Sequence, residues 1–455
     1  MNVRIVGNSW IIVGVMICAS PLVQAAGNST QVTLQQAYAA ALDYDAKIAV
    51  AKSVLESDQE QVGYARSFLL PNVVASASGG YGKSTVDYAK NSQILQDKTT
   101  PYFEKYSYAL RLTQPVFRKN YIEGYRQAGY MQQQGELRYQ SAAQDLALRV
   151  AQAYFDVLLA QSNVELADAE SQATAKRLDT LKIAQSVGTI TMTEVYDAQA
   201  RFDLSRARAI SAKSQLDIAS QSLARIIGYT PQTLARWPDN FPLLAPEPSN
   251  IDSWKNAAKK ENLQVLTASA GVEVARLELE RQLGLVYPSL DVVASYGKNY
   301  VGDGTFGGEN TGANTSVTME LNVPLFSGGS VTIKLRQLRA DVRRAEHQLT
   351  DAKREADLQT QQVYSAVVFG VEQIKALQQG EISSQSSLDA MQKGFEHGLR
   401  TMIDVLNAQQ QFFSAKRDLV SAKHQYMLNR FKLKAAVGQL TQADINAASA
   451  LLDAK

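Results

Sequence analysis

The sequence has little of what usually cross-links, anchors or charges a protein. Its single cysteine, Cys18, lies within the first 26 residues. A chain processed after that segment holds no thiol, so its stability must come from packing and assembly. Proline is scarce: 11 in 455 residues, none between Pro115 and Pro231 and none after Pro324. Proline-free stretches of that length do not belong to ordinary compact domains; they predict very long helices. Neither sign of charge predominates, with 46 Lys+Arg against 44 Asp+Glu. That excludes the concentrated basic face of a nucleic-acid binder. No run of ~18 apolar residues follows the N-terminal segment, which argues against a spanning helix. A soluble exported protein or a membrane β-barrel remains. Histidine is rare too: His347, His397 and His424 are far apart on expected helices, in no metal-binding pattern. They and the acidic residues of the long helices are expected on solvated faces. No Ser/His/Asp order, phosphate loop or nucleotide fingerprint appears, so no catalytic residue, metal or cofactor is assigned and no enzyme is expected.

What is present begins with a secretory pattern. Residues 1–26 carry Arg4, an apolar run Ile11-Ile12-Val13-Gly14-Val15-Met16-Ile17, and small residues at Val23-Gln24-Ala25-Ala26. Met16-Ile17 before Cys18 lacks the small residue of a lipoprotein signal, so no lipid anchor is expected.

The rest is a repeat. Gly188-Thr189-Ile190-Thr191-Met192-Thr193-Glu194-Val195 matches Gly398-Leu399-Arg400-Thr401-Met402-Ile403-Asp404-Val405, 210 positions later. The register continues through Phe202/Phe412, Leu223/Leu433 and Gly228/Gly438, and earlier through Tyr154/Tyr364. Pro115 and Pro324 match after a shift of one residue, and Pro71 and Pro288 at a slightly larger offset. One unit therefore occurs twice, over 27–228 and 253–438, with a proline-rich joint at 229–252 and a tail at 439–455. Each copy opens on a helix of moderate length; the first then holds a β-hairpin (72–117), a long helix (119–187) and a return helix (190–228). The second holds a hairpin (289–326), a long helix (328–397) and a return helix (400–438). Pro71, Pro115, Pro288 and Pro324 mark the strand–helix junctions, and Gly188 and Gly398 the turns between helices.

Strands are read from alternation. Val317, Met319, Leu321, Val323 and Leu325 share one face of 315–325, with Ser316, Thr318, Glu320 and Asn322 on the other. The segments 106–113 and 289–299 alternate similarly, as membrane-barrel strands do, while 72–82, rich in Ala, Ser and Gly, alternates more weakly. The helices are read from length and heptads. Each long helix would extend on the order of 100 Å at ~1.5 Å per residue. Val405, Phe412, Leu419, Tyr426 and Leu433 fall seven apart, as do Val195, Phe202, Ala209, Leu216 and Leu223. Such stripes belong to a wall of coiled-coil helices.

Four strands per chain cannot close a barrel, and open edges cannot face lipid. Several copies must therefore share one barrel, and the same symmetry closes the helices into a tube. The fold class is α+β: four strands of a shared barrel, long helices forming an α-barrel, and an internal two-fold repeat.

The chain resembles the TolC-type outer-membrane channels of Gram-negative bacteria over about 30 to 450. Three motifs carry the resemblance: Phe395 through Gln409, Val323-Pro324-Leu325-Phe326-Ser327-Gly328-Gly329, and Arg430 through Gly438. It implies a homotrimer with a twelve-stranded barrel in outer-membrane lipid and a periplasmic helical tunnel. It also implies docking onto an inner-membrane ABC or other pump through a periplasmic adaptor. Efflux of drugs and type I secretion of a protein are both open. By the same resemblance Asp404 falls on a pore-ring aspartate, while Asn407 replaces the acid of a second ring. Arg400 falls on a tip-latching arginine with Glu194 at its partner position, and Phe395 stands where a latching tyrosine is frequent. A coiled-coil structural or adhesive envelope protein without a channel would explain the helices, but not the two matched hairpins.

Overall fold

A computed structural model describes residues 31–83, 85–86, 98–99, 102–231, 233–235, 243–302 and 308–453. The expected signal segment 1–26, Pro238 and Pro242 of the joint, and parts of both hairpin loops lie outside them. In chain order the elements are α1 (Leu34–Tyr44), α2 (Ala46–Ser67), β1 (Asn72–Gly82), two short strands β2 (Thr85–Val86) and β3 (Lys98–Thr99), β4 (Phe103–Phe117), α3 (Lys119–Ser186) and α4 (Met192–Ile227). The second half follows with α5 (Ile251–Glu261), α6 (Leu263–Leu283), β5 (Ser289–Val301), β6 (Asn310–Asn322), α7 (Ser330–Glu396), α8 (Met402–Val437) and α9 (Gln442–Asp453).

Repetition is visible element by element. The long helices α3 and α7 have 68 and 67 residues, and α4 and α8 have 36 each. Both return helices start on a threonine N-cap with an acid three residues on, and end on left-handed Gly228 or Gly438. The moderate helix expected at the head of each copy is a pair, broken at a cap. Asp45 accepts from the N–H groups of Lys47 and Ile48, and Asn262 does the same for Gln264 and Val265.

The sheet runs β1-β4-β5-β6, antiparallel throughout, so the two hairpins join side by side through β4 and β5. Register aligns one row across all four strands: Val73, Leu112, Ala294 and Val317. The neighbouring row is Val74, Arg111, Ser295 and Ser316. Pleating sends the first row to one face and the second to the other. The polar side is laced by Ser78–Ser107 and Ser295–Ser316 hydroxyl bonds, each 2.8 Å, and by Arg111–Glu320 at 3.7 Å. On the apolar side Val317, Met319 and Leu321 are 66–72% exposed. Such a face suits lipid, not water. Among the described residues no helix is long and apolar enough to cross a membrane. One expected boundary needs correction: β6 stops at Asn322, so Val323 and Leu325 do not continue its face. Pro324 has no N–H for a ladder, and pairing ends before it. Gly328 and Gly329, both with positive φ, then turn the chain into α7, which starts two residues later than expected.

The main core gathers midway along the helices, where Tyr154 and Phe155 of α3 and Tyr426 and Phe431 of α8 meet α1, α5 and α9. Two tyrosines fix the surrounding chain here. The Tyr154 hydroxyl donates to the Val32 carbonyl (2.9 Å) and accepts from the Ala235 N–H (3.1 Å). The Tyr426 hydroxyl donates to the Leu244 carbonyl (2.6 Å) and accepts from its N–H (3.0 Å). Arg149 of α3 grips Asp45 at the α1–α2 corner at 2.8 and 3.1 Å. The equivalent corner of the second copy uses a neutral group instead: Asn262 Nδ2 donates to the Ala436 carbonyl at 2.8 Å. A second apolar cluster closes the far helix ends with Leu178, Leu181, Val195, Leu388, Met402, Val405 and Phe412. Every member of the Val405–Leu433 heptad stripe is buried.

Candidate gate at the helical tips

The turns at Gly188 and Gly398 close α3 onto α4 and α7 onto α8. Both glycines have positive φ, 76° and 73°, which L side chains adopt only with strain. Beyond each turn the return helix begins at Thr191 or Thr401. The Asp404 carboxylate accepts from the Thr401 N–H (3.0 Å) and hydroxyl (2.9 Å), while the Thr401 hydroxyl oxygen accepts from the Asp404 N–H (3.3 Å). Glu194 closes the same box with Thr191. The Thr401 N–H bond, then the Thr401 hydroxyl, then the charge of Arg400 hold the Asp404 carboxyl below the usual carboxylate range. Asp404 is thus a fixed, ionised group at the tip.

The other expected tip residues fall as follows. Within the chain Arg400 forms no ion pair with Glu194. The Glu194 carboxylate is turned back to its own cap, and Arg400 packs over Gly394, close enough to Asp404 to influence it. Phe395 packs against the tip cluster. Asn407 is exposed on α8, and its Oδ1 accepts from Arg201 Nη2 of α4 at 3.0 Å. Pro71 and Pro288 stand immediately before β1 and β5, and Pro115 sits at a register irregularity of β4. Among the described residues no cluster of His, Cys, Asp or Glu could hold a metal ion.

A polar ladder behind the tip went unread. Arg201 Nε donates to Asp197 Oδ2 (3.0 Å), and its Nη1 reaches Gln410 Oε1 (3.4 Å). Arg177 of α3 bonds Gln409 (2.5 Å) and Gln392 (3.1 Å), while Gln409 also reaches Thr174. Burial pushes the Arg177 guanidinium below its usual range. Further along, Glu170 of α3 accepts from Arg208 of α4 (2.9 Å) and Arg417 of α8 (2.8 Å). Finally His424 Nε2 lies 2.9 Å from Asp156 Oδ1. These rungs cross from the first helical hairpin to the second. They correct two expectations: Glu170 and His424 are buried, not solvated. The signal was periodicity. Ala167, Glu170, Thr174, Leu178 and Leu181 share the buried stripe of α3, and Phe413, His424, Met427 and Phe431 that of α8, with Val420 half-buried among them.

Long paired helices on a four-stranded sheet with one lipid-suited face define a channel-tunnel of the outer-membrane type. Comparison with known proteins agrees. The sequence pattern of the outer membrane efflux protein family matches residues 37–229 and 254–439, once for each copy. The chain is 30% identical to the outer membrane protein TolC of Escherichia coli over 409 residues, covering 87% of this chain and 80% of TolC. It is 29% identical to the alkaline protease secretion protein AprF of Pseudomonas aeruginosa over 423 residues, covering 92% and 86%. The outer membrane protein VceC of Vibrio cholerae has the same fold, with a TM-score of 0.74, 18% identity and coverage of 89% and 96%. The chain belongs to the outer membrane efflux protein family, and is an export channel of the outer membrane with a periplasmic tunnel.

Proposed function

We propose that three copies close one twelve-stranded barrel and one helical tunnel, gated at the Gly188 and Gly398 turns. The observation that carries this is the sheet: β1 and β6 are edge strands, and their outer ladder groups have no strand partner among the described residues. Lipid offers none, so other copies must supply them. In that assembly Asp404 forms a ring of carboxylates around a narrow axis. Like charges so placed attract cations and oppose passage when one binds. Asn407 adds no charge, and Arg400 and Phe395 shape the closed tip around the ring. Transport energy comes from an inner-membrane pump, of ABC or other type, reached through a periplasmic adaptor. The name of the AprF relative supports export of a protein by type I secretion, and the TolC relationship also leaves room for drug efflux.

The only cysteine lies in the segment expected to be removed, so introduced thiols report without background. Single cysteines along β1 combined with single cysteines along β6 are expected to give disulfide-linked trimers on denaturing gels, from chains that conduct in planar bilayers. Monomers alone at every register overturn the shared barrel. Deletion of the gene separates the two cargoes: loss of a secreted protein supports secretion, and drug sensitivity alone supports efflux.

A further inference from the structure

One turn beyond Asp404, a cation of the first hairpin meets α8 of the second. Arg201 of α4 donates Nη2 to Asn407 Oδ1 (3.0 Å) and Nη1 to Gln410 Oε1 (3.4 Å), both on α8. Its Nε is held by Asp197 Oδ2 (3.0 Å), one turn back on its own helix. A guanidinium carries its donors in a rigid fork, so anchoring one side aims the other. The side chain is 25% exposed, largely committed to these contacts. α4 and α8 approach each other at only a few places, and this is one. Asn407 lies one turn beyond Asp404, about 5 Å along the axis. Arg201 therefore places a positive charge beside the neutral second level of the tip.

We infer that Arg201 is a selectivity-determining and latching residue of the gate. It fastens the second hairpin to the first at Asn407, and it limits the cation preference that Asp404 sets. This rests on the gate reading above. A carboxylate at position 407 would share Arg201 with Asp197, and would serve a passing cation less for it. Opening by outward movement of α8 must break both bonds to Asn407 and Gln410, whereas the Asp197 bond survives.

The test is single-channel recording of the purified channel in planar bilayers, with conductance, potassium-over-chloride permeability from the reversal potential, and magnesium block. Arg201→Gln is expected to raise resting conductance about twofold or more and shift permeability toward potassium. Arg201→Lys keeps the charge but loses the fork, so it raises conductance and leaves permeability as in wild type. Asn407→Asp alone changes magnesium block less than about twofold, but in the Arg201→Gln background it strengthens block about tenfold. Wild-type conductance and permeability in Arg201→Gln overturn the inference, as does equal block by Asn407→Asp in both backgrounds. Failure of the ring itself reads differently: Asp404→Ala would then leave block unchanged, while the Arg201 variants still alter conductance.

Discussion

Glu170→Gln tests the joint between the hairpins. The wild-type carboxylate is 6% exposed and accepts one charged bond from each side, Arg208 of α4 at 2.9 Å and Arg417 of α8 at 2.8 Å. Glutamine keeps the volume but can accept at only one oxygen, and its amide donors face the second guanidinium. Charge-assisted bonds contribute about 1.5–3 kcal/mol each, and breaking a fully buried pair costs about 3–5 kcal/mol. The two guanidinium side chains are 47% and 32% exposed, so they can turn to water. The expected loss therefore falls to about 2 kcal/mol. It falls on the contact between hairpins, since neither helix needs Glu170 to form. Circular-dichroism melting of the purified channel in detergent should show the destabilisation. A double-mutant cycle with Arg417→Gln should give a coupling of about 1 kcal/mol. Bilayer recordings should show more frequent openings, because the tip lies about 27 Å further along α3 and is carried by that joint. Wild-type melting, no coupling and an unchanged channel would mean that the carboxylate is merely tolerated in the stripe and joins nothing.

Asp404→Ala should abolish most divalent-cation block of single-channel current. In wild type the block should persist as pH falls into the ordinary carboxylate range, because the Thr401 bonds and Arg400 hold each carboxyl low against the mutual repulsion of the ring. The stability from its cap has the same sign: present above the unfolded pKa and lost as pH falls through the depressed folded one. Block that fades already at an ordinary carboxylate pKa in a pH titration contradicts the fixed, ionised ring. Arg118→Gln should lower stability by about 2 kcal/mol. It strands Asp291, whose side chain is 8% exposed and is gripped at 2.9 and 2.6 Å across the barrel–helix junction. A lower midpoint in circular-dichroism melting of the purified channel is the readout. Tyr154→Phe leaves the Val32 carbonyl and the Ala235 N–H only their long 3.4 Å bond to each other, at about 1 kcal/mol. Faster amide exchange confined to 233–235 would show it, and unchanged protection would assign those groups other support.

Backbone features were legible wherever a local rule governs them. Absent proline marked the long helices, Gly188 and Gly398 marked their returns, and alternation marked the strands. The boundary error at β6 had a readable cause in Pro324. The polar rungs were harder, because their meaning depends on partners more than two hundred positions away: Arg201 with Asn407, Arg177 with Gln409, Arg417 with Glu170. A charged residue within an apolar stripe is a visible anomaly, and Glu170 and His424 were both visible in that sense. Which groups would neutralise them depends on helix packing, which neither residue encodes alone. The tip illustrates the same limit. Thr401 and Asp404 form a local unit, legible in sequence, whereas the partner of Asn407 comes from the other copy.

The duplicated backbone and the unduplicated contacts divide the work. Duplication gives both copies the same helix lengths, caps and turns, so the tube wall is nearly uniform. The ladder between them is not symmetric. The first copy supplies Arg177 and Arg201 with the carboxylates Glu170 and Asp156, and the second supplies the acceptors Asn407, Gln409 and Gln392 with Arg417 and His424. Corner contacts diverge in the same way, with a charged Arg149–Asp45 grip in one copy and a neutral Asn262–Ala436 bond in the other. A perfectly repeated wall would have equivalent seams and no reason to part at one before another. Divergence of the polar contacts distinguishes the seam between hairpins from the seam within each. Within a hairpin the apolar stripe closes the contact. Between hairpins, near the tip, the apolar cluster of Leu178, Leu181, Met402 and Val405 is flanked by the Arg177 and Arg201 hydrogen bonds, which can exchange with water. The polar contacts therefore differ between the copies where the two hairpins meet.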